Sequence, residues 1–95
     1  MGARMRGLLG RKGLEAGDGM LITKTSSIHT FFMAFPIDAV FLDKELRVRR
    51  IAHDVRPFRM AWKPGSRSVL ELPAGAAAAA GLEVGSRLVW HDQKQ

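Results

Sequence analysis

Two six-residue runs constrain this chain more than anything else in it. Ile28-His29-Thr30-Phe31-Phe32-Met33 and Ile37-Asp38-Ala39-Val40-Phe41-Leu42 are rich in β-branched and aromatic residues, with Ala34-Phe35-Pro36 between them. Runs of this length and kind read as buried strands. Pro36 has no N–H to donate and biases Phe35 toward extended backbone, so a single element across both runs is excluded. The pattern predicts a hairpin over residues 28–42. Asp43-Lys44-Glu45-Leu46 then reads as a tight turn into a third strand, Arg47 to Ala52. Val48 and Ile51 cannot both face inward along that strand unless a bulge intervenes near Arg49-Arg50.

Elsewhere the elements are short. Residues 5–10 suggest a helical turn that docks Leu8 and Leu9, and Leu14 to Gly19 a turn ahead of a strand at Met20–Thr23. Residues 53–66 are the least regular. Within them Phe58, Met60 and Trp62 alternate with Arg59, Ala61 and Lys63, which predicts an extended segment with its bulky residues inward. Ser68–Leu72 is a further strand. Residues 74–81 predict a helix, since the stretch is dense in alanine and Gly81 supplies a left-handed stop from which Leu82 packs back. A last strand is expected over Arg87–His91, with a polar tail from 92 to 95. The whole reads as one β-dominated α+β domain of about six short strands and one helix, rolled into a small barrel or an antiparallel or mixed sheet.

The 95 residues allow one domain, and the absence of cysteine removes disulfides, thiolate metal sites and a cysteine nucleophile. With 46% hydrophobic and 25% charged residues, the domain must stand on its apolar core. No apolar run approaches the roughly 20 residues of a membrane helix, and the opening residues lead into no export signal. A cytoplasmic monomer with no membrane partner is the expectation. The net charge of +6 is local: residues 44–67 carry eight Lys and Arg against Glu45 and Asp54, as large an excess as the whole chain's. Such a segment can steer anions, through Arg47, Arg49, Arg56 and Arg59, or keep a strand face solvated. Nucleic acid is not the favoured partner, because no RNA-recognition strand motif, zinc-finger spacing or long basic helix accompanies the charge.

One set of residues carries a family likeness. Arg6-Gly7-Leu8-Leu9-Gly10-Arg11, Gly19-Met20-Leu21, His29 to Met33, Pro36 to Asp43, Val69 to Gly75 and Gly81 to Gly85 occur in that order and spacing. The pattern resembles the bacterial and archaeal family labelled domain of unknown function 192, over about Arg6 to Trp90. The resemblance implies a compact, mostly-β domain and brings no assigned activity with it. Ser86 departs from it, since members often have an acidic residue there. The stretch from Leu72 to Gly85 is also similar to the helix-to-strand passage of PDZ domains, but no PDZ carboxylate loop accompanies it.

Polar residues inside apolar runs are the candidates for chemistry. His29 and Asp38 have the makings of a general base or of two metal ligands. If Met33 pairs with Ile37, the two lie on opposite faces of the hairpin; a one-residue slip unites them. The structural alternative is a buried Asp accepting backbone N–H groups and a strand His bonded to a carbonyl. Adjacent His53-Asp54 and His91-Asp92 point to opposite faces and make no ready chelate. A small-ligand cleft is the leading reading, lined by the 28–42 hairpin and the 58–62 segment, with His29, Thr30, Met33, Asp38, Trp62 and Glu71 in contact with an unknown small ligand or a protein. An enzyme using His29 and Asp38 is the first rival, and a weak nucleic-acid or anion binder using the arginines is the second. No cofactor or metal is implied.

Overall fold

A computed structural model of the chain describes residues 2–4, 8–9, 14–15, 19–31 and 33–88. These residues form nine strands and one short helix. The strands are β1 (Gly2–Arg4), β2 (Leu8–Leu9), β3 (Leu14–Glu15), β4 (Met20–Thr23), β5 (Ser27–His29), β6 (Ile37–Leu42), β7 (Val48–Val55), β8 (Met60–Trp62) and β9 (Ser68–Pro73); the helix is α1 (Ala76–Ala79). The main sheet is antiparallel in the order β1-β4-β9-β6-β7. Two small ladders, β2-β3 and β5-β8, stand outside it.

β6 and β9 sit at the centre because both faces of them are covered. Every residue of β6 is buried, as a near-continuous apolar strand between two layers should be. On one face Val40, Leu42, Leu70 and Leu72 pack with Val48, Ala77, Ala80, Leu82 and Leu88, so α1 and the residues after it close that side. On the other, Ile37, Ala39, Phe41, Ala52, Val55 and Val69 pack with Ile28 and Ala61, which come from the β5-β8 ribbon. The molecule is therefore a sheet with a ribbon on one side and a helical segment on the other. Among the described residues the sheet ends at β1 and β7 and does not close into a barrel.

Several expectations hold. β6 and β7 form a hairpin, with Leu42 opposite Val48 and Phe41 opposite Arg50, so Arg49 is the bulged residue. The Asp43 carboxylate organises the turn by accepting the N–H groups of Glu45 (2.8 Å) and Arg47 (3.0 Å), and the Arg47 bond is the main force lowering its pKa. The helix is shorter than residues 74–81. Gly75 enters it at φ 92°, and Leu82, 6% exposed, donates its N–H to the Ala77 carbonyl as the chain folds back.

The predicted 28–42 hairpin does not form. A strand has two edges, and those of β6 are taken by β7 and β9. The first run pairs instead with β8, Ile28 opposite Ala61 and His29 opposite Met60. It also stops at His29, because the Thr30 carbonyl accepts N–H groups from Phe58 (3.0 Å) and Met33 (3.3 Å). Leu8 and Leu9 belong to a ladder with Leu14 and Glu15, where a helical turn was expected. Arg47 bridges Arg87, and Leu88 donates to the Leu46 carbonyl; the rest of the expected last strand lies outside the described residues, as does Phe32.

Candidate functional site: an apolar cleft with one carboxylate

Asp38 and Thr30, the two polar residues buried deepest, are occupied by backbone. Asp38 is fully buried on the helix side of β6. Its Oδ1 accepts the Asp54 N–H at 3.0 Å, and its Oδ2 accepts the N–H groups of Gly75 and Ala77, each at 3.0 Å. The first donor exists because β7 carries an extra residue opposite Asp38: Ala39 faces Ala52 and Ile37 faces Val55, with Asp54 at φ 53° between them. The other two are orphan donors at the start of α1, whose own N-cap glycine has no side chain to offer. One carboxylate thus pins a bulge and caps a helix. Thr30 does similar service on the ribbon side. Its hydroxyl donates to the Arg56 carbonyl (2.6 Å) and accepts the Arg59 N–H (3.0 Å), which fixes the turn between β7 and β8.

His29 is exposed on β5, on the opposite side of the main sheet from the Asp38 carboxylate. The two do not meet. Its ring lies against that of Phe31, centroids 4.8 Å apart. Among the described residues no group of three or more His, Cys, Asp or Glu is placed to hold a metal ion.

The ribbon corrects a second expectation. The alternation at 58–62 is real, but its phase is reversed: Ala61 is buried at 4% exposure, whereas Phe58, Met60 and Trp62 are 68%, 57% and 57% exposed. Small residues decide this. Ala61 packs in one cluster with Ala39, Ala52 and Ile28, and that near-alanine contact lets the ribbon sit close to the sheet. Bulky side chains there would hold it away. The Trp62 carbonyl is held by the Arg50 guanidinium, which also lies over the Phe41 ring at 5.8 Å.

The arginines do not converge. Arg47 and Arg49 act on Asp43 at the β6-β7 turn, while Arg56 and Arg59 follow the far end of β7, with Arg56 3.8 Å from Asp54. An eight-residue strand separates the pairs by roughly 25 Å at about 3.3 Å per residue.

A concavity does exist, beside the ribbon. Gly19, Met20, Met33, Phe35, Ile37, Glu71, Leu72 and Pro73 line a cleft of about 400 Å³. Its floor is the end of the main sheet, where Glu71 lies between Met20 of β4 and Ala39 of β6, and Ile37 is paired with Pro73. Its wall is the link between β5 and β6, where Pro36 ends extended structure and leaves Phe35 60% exposed. Space is tight at Gly19: a Cβ there would meet Leu72 Cδ2 at 3.0 Å and Leu70 Cδ1 at 3.2 Å, so these side-chain ends would have to shift by a few tenths of an ångström. Of the six residues expected to contact a ligand, Met33 and Glu71 line this cleft and His29 stands near enough to act on Glu71; Thr30, Asp38 and Trp62 do not line it. Gly19, Met20, Phe35, Ile37, Leu72 and Pro73 were not anticipated. Pro36 and the Gly19-Met20 step were the available signals, since each marks a place where a strand must end beside an open face.

Glu71 is the single charged residue among those eight. Burial pushes its carboxyl above the ordinary value of 4.5, and the charge of His29 pulls it partly back. A carboxyl raised in the folded state costs stability once pH climbs past its unfolded value, so the penalty is absent well below 4.5 and grows above it. Glu71→Gln is expected to raise the melting temperature at pH 7 and leave it unchanged at pH 3. Discounted for partial exposure, the gain is below about 1 kcal/mol. Thermal melts of both proteins at the two pH values check this.

Comparison with known proteins places the chain. Residues 2–90 match the family described as Uncharacterized ACR, DUF192. The chain belongs to this family. A UPF0127 protein of Pyrococcus abyssi is 36% identical over 66 residues, 68% of this chain and 56% of that protein. A UPF0127 protein of Thermococcus sibiricus is 32% identical over 71 residues, 74% of this chain and 46% of that one. The chain thus spans about half the length of these DUF192 relatives. The crystal structure of a protein of unknown function from Novosphingobium aromaticivorans is similar at a TM-score of 0.69 and 26% identity, covering 88% of this chain and 65% of that one. The DUF192 fold here is the strand-dominated sheet described above. No helix among the described residues is long and apolar enough to cross a membrane.

Proposed function

We propose that this domain is a small binding module whose ligand occupies the cleft between the end of the β4-β9-β6 sheet and the residue 33–35 link. One observation carries the reading: a concavity of about 400 Å³ with apolar walls holds a single partly buried carboxylate. Ligand sites are built this way, from a largely apolar lining with a few polar groups that fix orientation, at volumes of roughly 300–1,000 Å³. The desolvation of Glu71 adds support, because a residue that lowers stability in an otherwise consistent core is a mark of function. The rival enzyme reading has less behind it, since the Asp38 carboxylate is used by three N–H groups on the far face. The arginine reading has less as well, its four residues being split between two ends of β7.

The test is a saturation-transfer NMR screen of small apolar and amphiphilic fragments against the wild-type chain and Met20→Trp. Met20 is 42% exposed at the cleft, so the larger ring fills the space without entering the core. Binding by wild type with loss of at least about tenfold in Met20→Trp is expected. Fragment binding unchanged by Met20→Trp contradicts the proposal.

A further inference from the structure

Resting on the cleft reading, we infer that the ligand is an organic cation: a primary or secondary amine carried on a short apolar body, with its ammonium group on Glu71 and its body against Met20, Met33 and Phe35. The lining supplies the argument. Among the described residues it contains one carboxylate and no Lys or Arg, although the chain as a whole carries a net charge of +6. None of the eight cations of residues 44–67 contributes to it. Among the described residues no side chain donates a hydrogen bond to the Glu71 carboxylate. Compare Asp38, whose three N–H donors leave it nothing to bind. Among the described residues, therefore, two carboxylates of opposite character stand out, one saturated by backbone N–H groups and one that accepts no hydrogen bond from them and faces a concavity. An anionic ligand would meet Glu71 as a like charge in a partly desolvated place, which is disfavoured. A purely apolar ligand would bury that carboxylate without a partner, which is also costly.

An ammonium group solves both problems. It donates up to three charge-assisted hydrogen bonds to acceptors that no described residue serves, and these are about twice as strong as neutral ones. Phe35, exposed on the wall, is an aromatic residue of the lining, and aromatic rings attract cations. Met20 and Met33 add flexible, polarisable surface that accommodates bodies of more than one shape. The remaining neighbour is His29, whose charge acts on Glu71 from β5.

Three probes that share a phenyl ring on a short alkyl chain separate this inference from the reading beneath it: 2-phenylethylamine, 2-phenylethanol and 3-phenylpropanoate, titrated at pH 7.5 into wild type and Glu71→Gln with amide shifts followed by NMR. The amine is expected to bind at Met20, Met33, Phe35 and Glu71, at least about tenfold more tightly than the alcohol, and to lose about tenfold in Glu71→Gln. The alcohol is expected to change less than about twofold between the two proteins. Equal binding of amine and alcohol with no effect of Glu71→Gln overturns the amine inference and leaves the cleft reading standing. Preferred binding of the carboxylate overturns it as well. No shift at the cleft with any probe overturns both.

Discussion

Replacing Asp38 with alanine is expected to cost about 3–5 kcal/mol of folding stability, a large share of the roughly 5–15 kcal/mol that a small domain possesses. The carboxylate is fully buried and accepts three backbone N–H groups. Alanine leaves all three without a partner, each worth about 1–3 kcal/mol when buried, with some relief as water enters. Asp38→Asn separates shape from chemistry. The amide keeps the volume, but its NH₂ must face at least one donor, so its loss is smaller, about 2–3 kcal/mol. Urea unfolding followed by circular dichroism measures both. A change of less than about 1 kcal/mol in Asp38→Ala would show that the carboxylate does not hold the bulge and the helix together.

Thr30→Val is the second large effect, expected at about 2–3 kcal/mol. Valine reproduces the shape of threonine and removes its hydroxyl, so the Arg59 N–H and the Arg56 carbonyl lose their shared partner. The turn they form is the hinge by which the ribbon folds back over the main sheet. Thr30→Ser, which keeps the hydroxyl and loses a methyl group, is expected to cost about 1 kcal/mol. If valine and serine variants unfold at the same urea concentration, packing and not the hydrogen bonds holds this turn.

The legible parts of the fold were those set by local chemistry. The β6-β7 hairpin followed from Asp43 to Leu46, the bulge at Arg49 from the misfit of Val48 and Ile51, and the helix from its alanines and Gly81. Partner choice was not local. Ile28 to Met33 and Ile37 to Leu42 are neighbours in sequence, but once β7 had taken one edge of β6 through the local turn, the other edge went to β9, far along the chain. The phase of 58–62 was lost for a related reason. Hydrophobicity favours burying Met60 and Trp62, yet the available separation between ribbon and sheet admits only Ala61.

The cleft was partly legible as a place in the fold. Met33 and Glu71, expected to touch a ligand, line it, whereas the polar atoms of Asp38 and Thr30 are bonded to backbone: a polar residue in an apolar run signals burial, but not whether its partner is a ligand or the backbone. What sets Glu71 apart from Asp38 is that no described residue donates a hydrogen bond to it, a property of three strands brought together. No window of sequence contains it.

The most direct test of the central claim is a map of amide shift changes across the ¹⁵N-labelled chain as 2-phenylethylamine is added. The cleft account predicts changes confined to Gly19, Met20, Met33, Phe35, Ile37, Glu71 and Leu72, with Asp54 and Ala77, the Asp38 donors, unmoved. Changes centred on Arg47 and Arg49, on Met60 and Trp62, or on the Asp38 donors would contradict it.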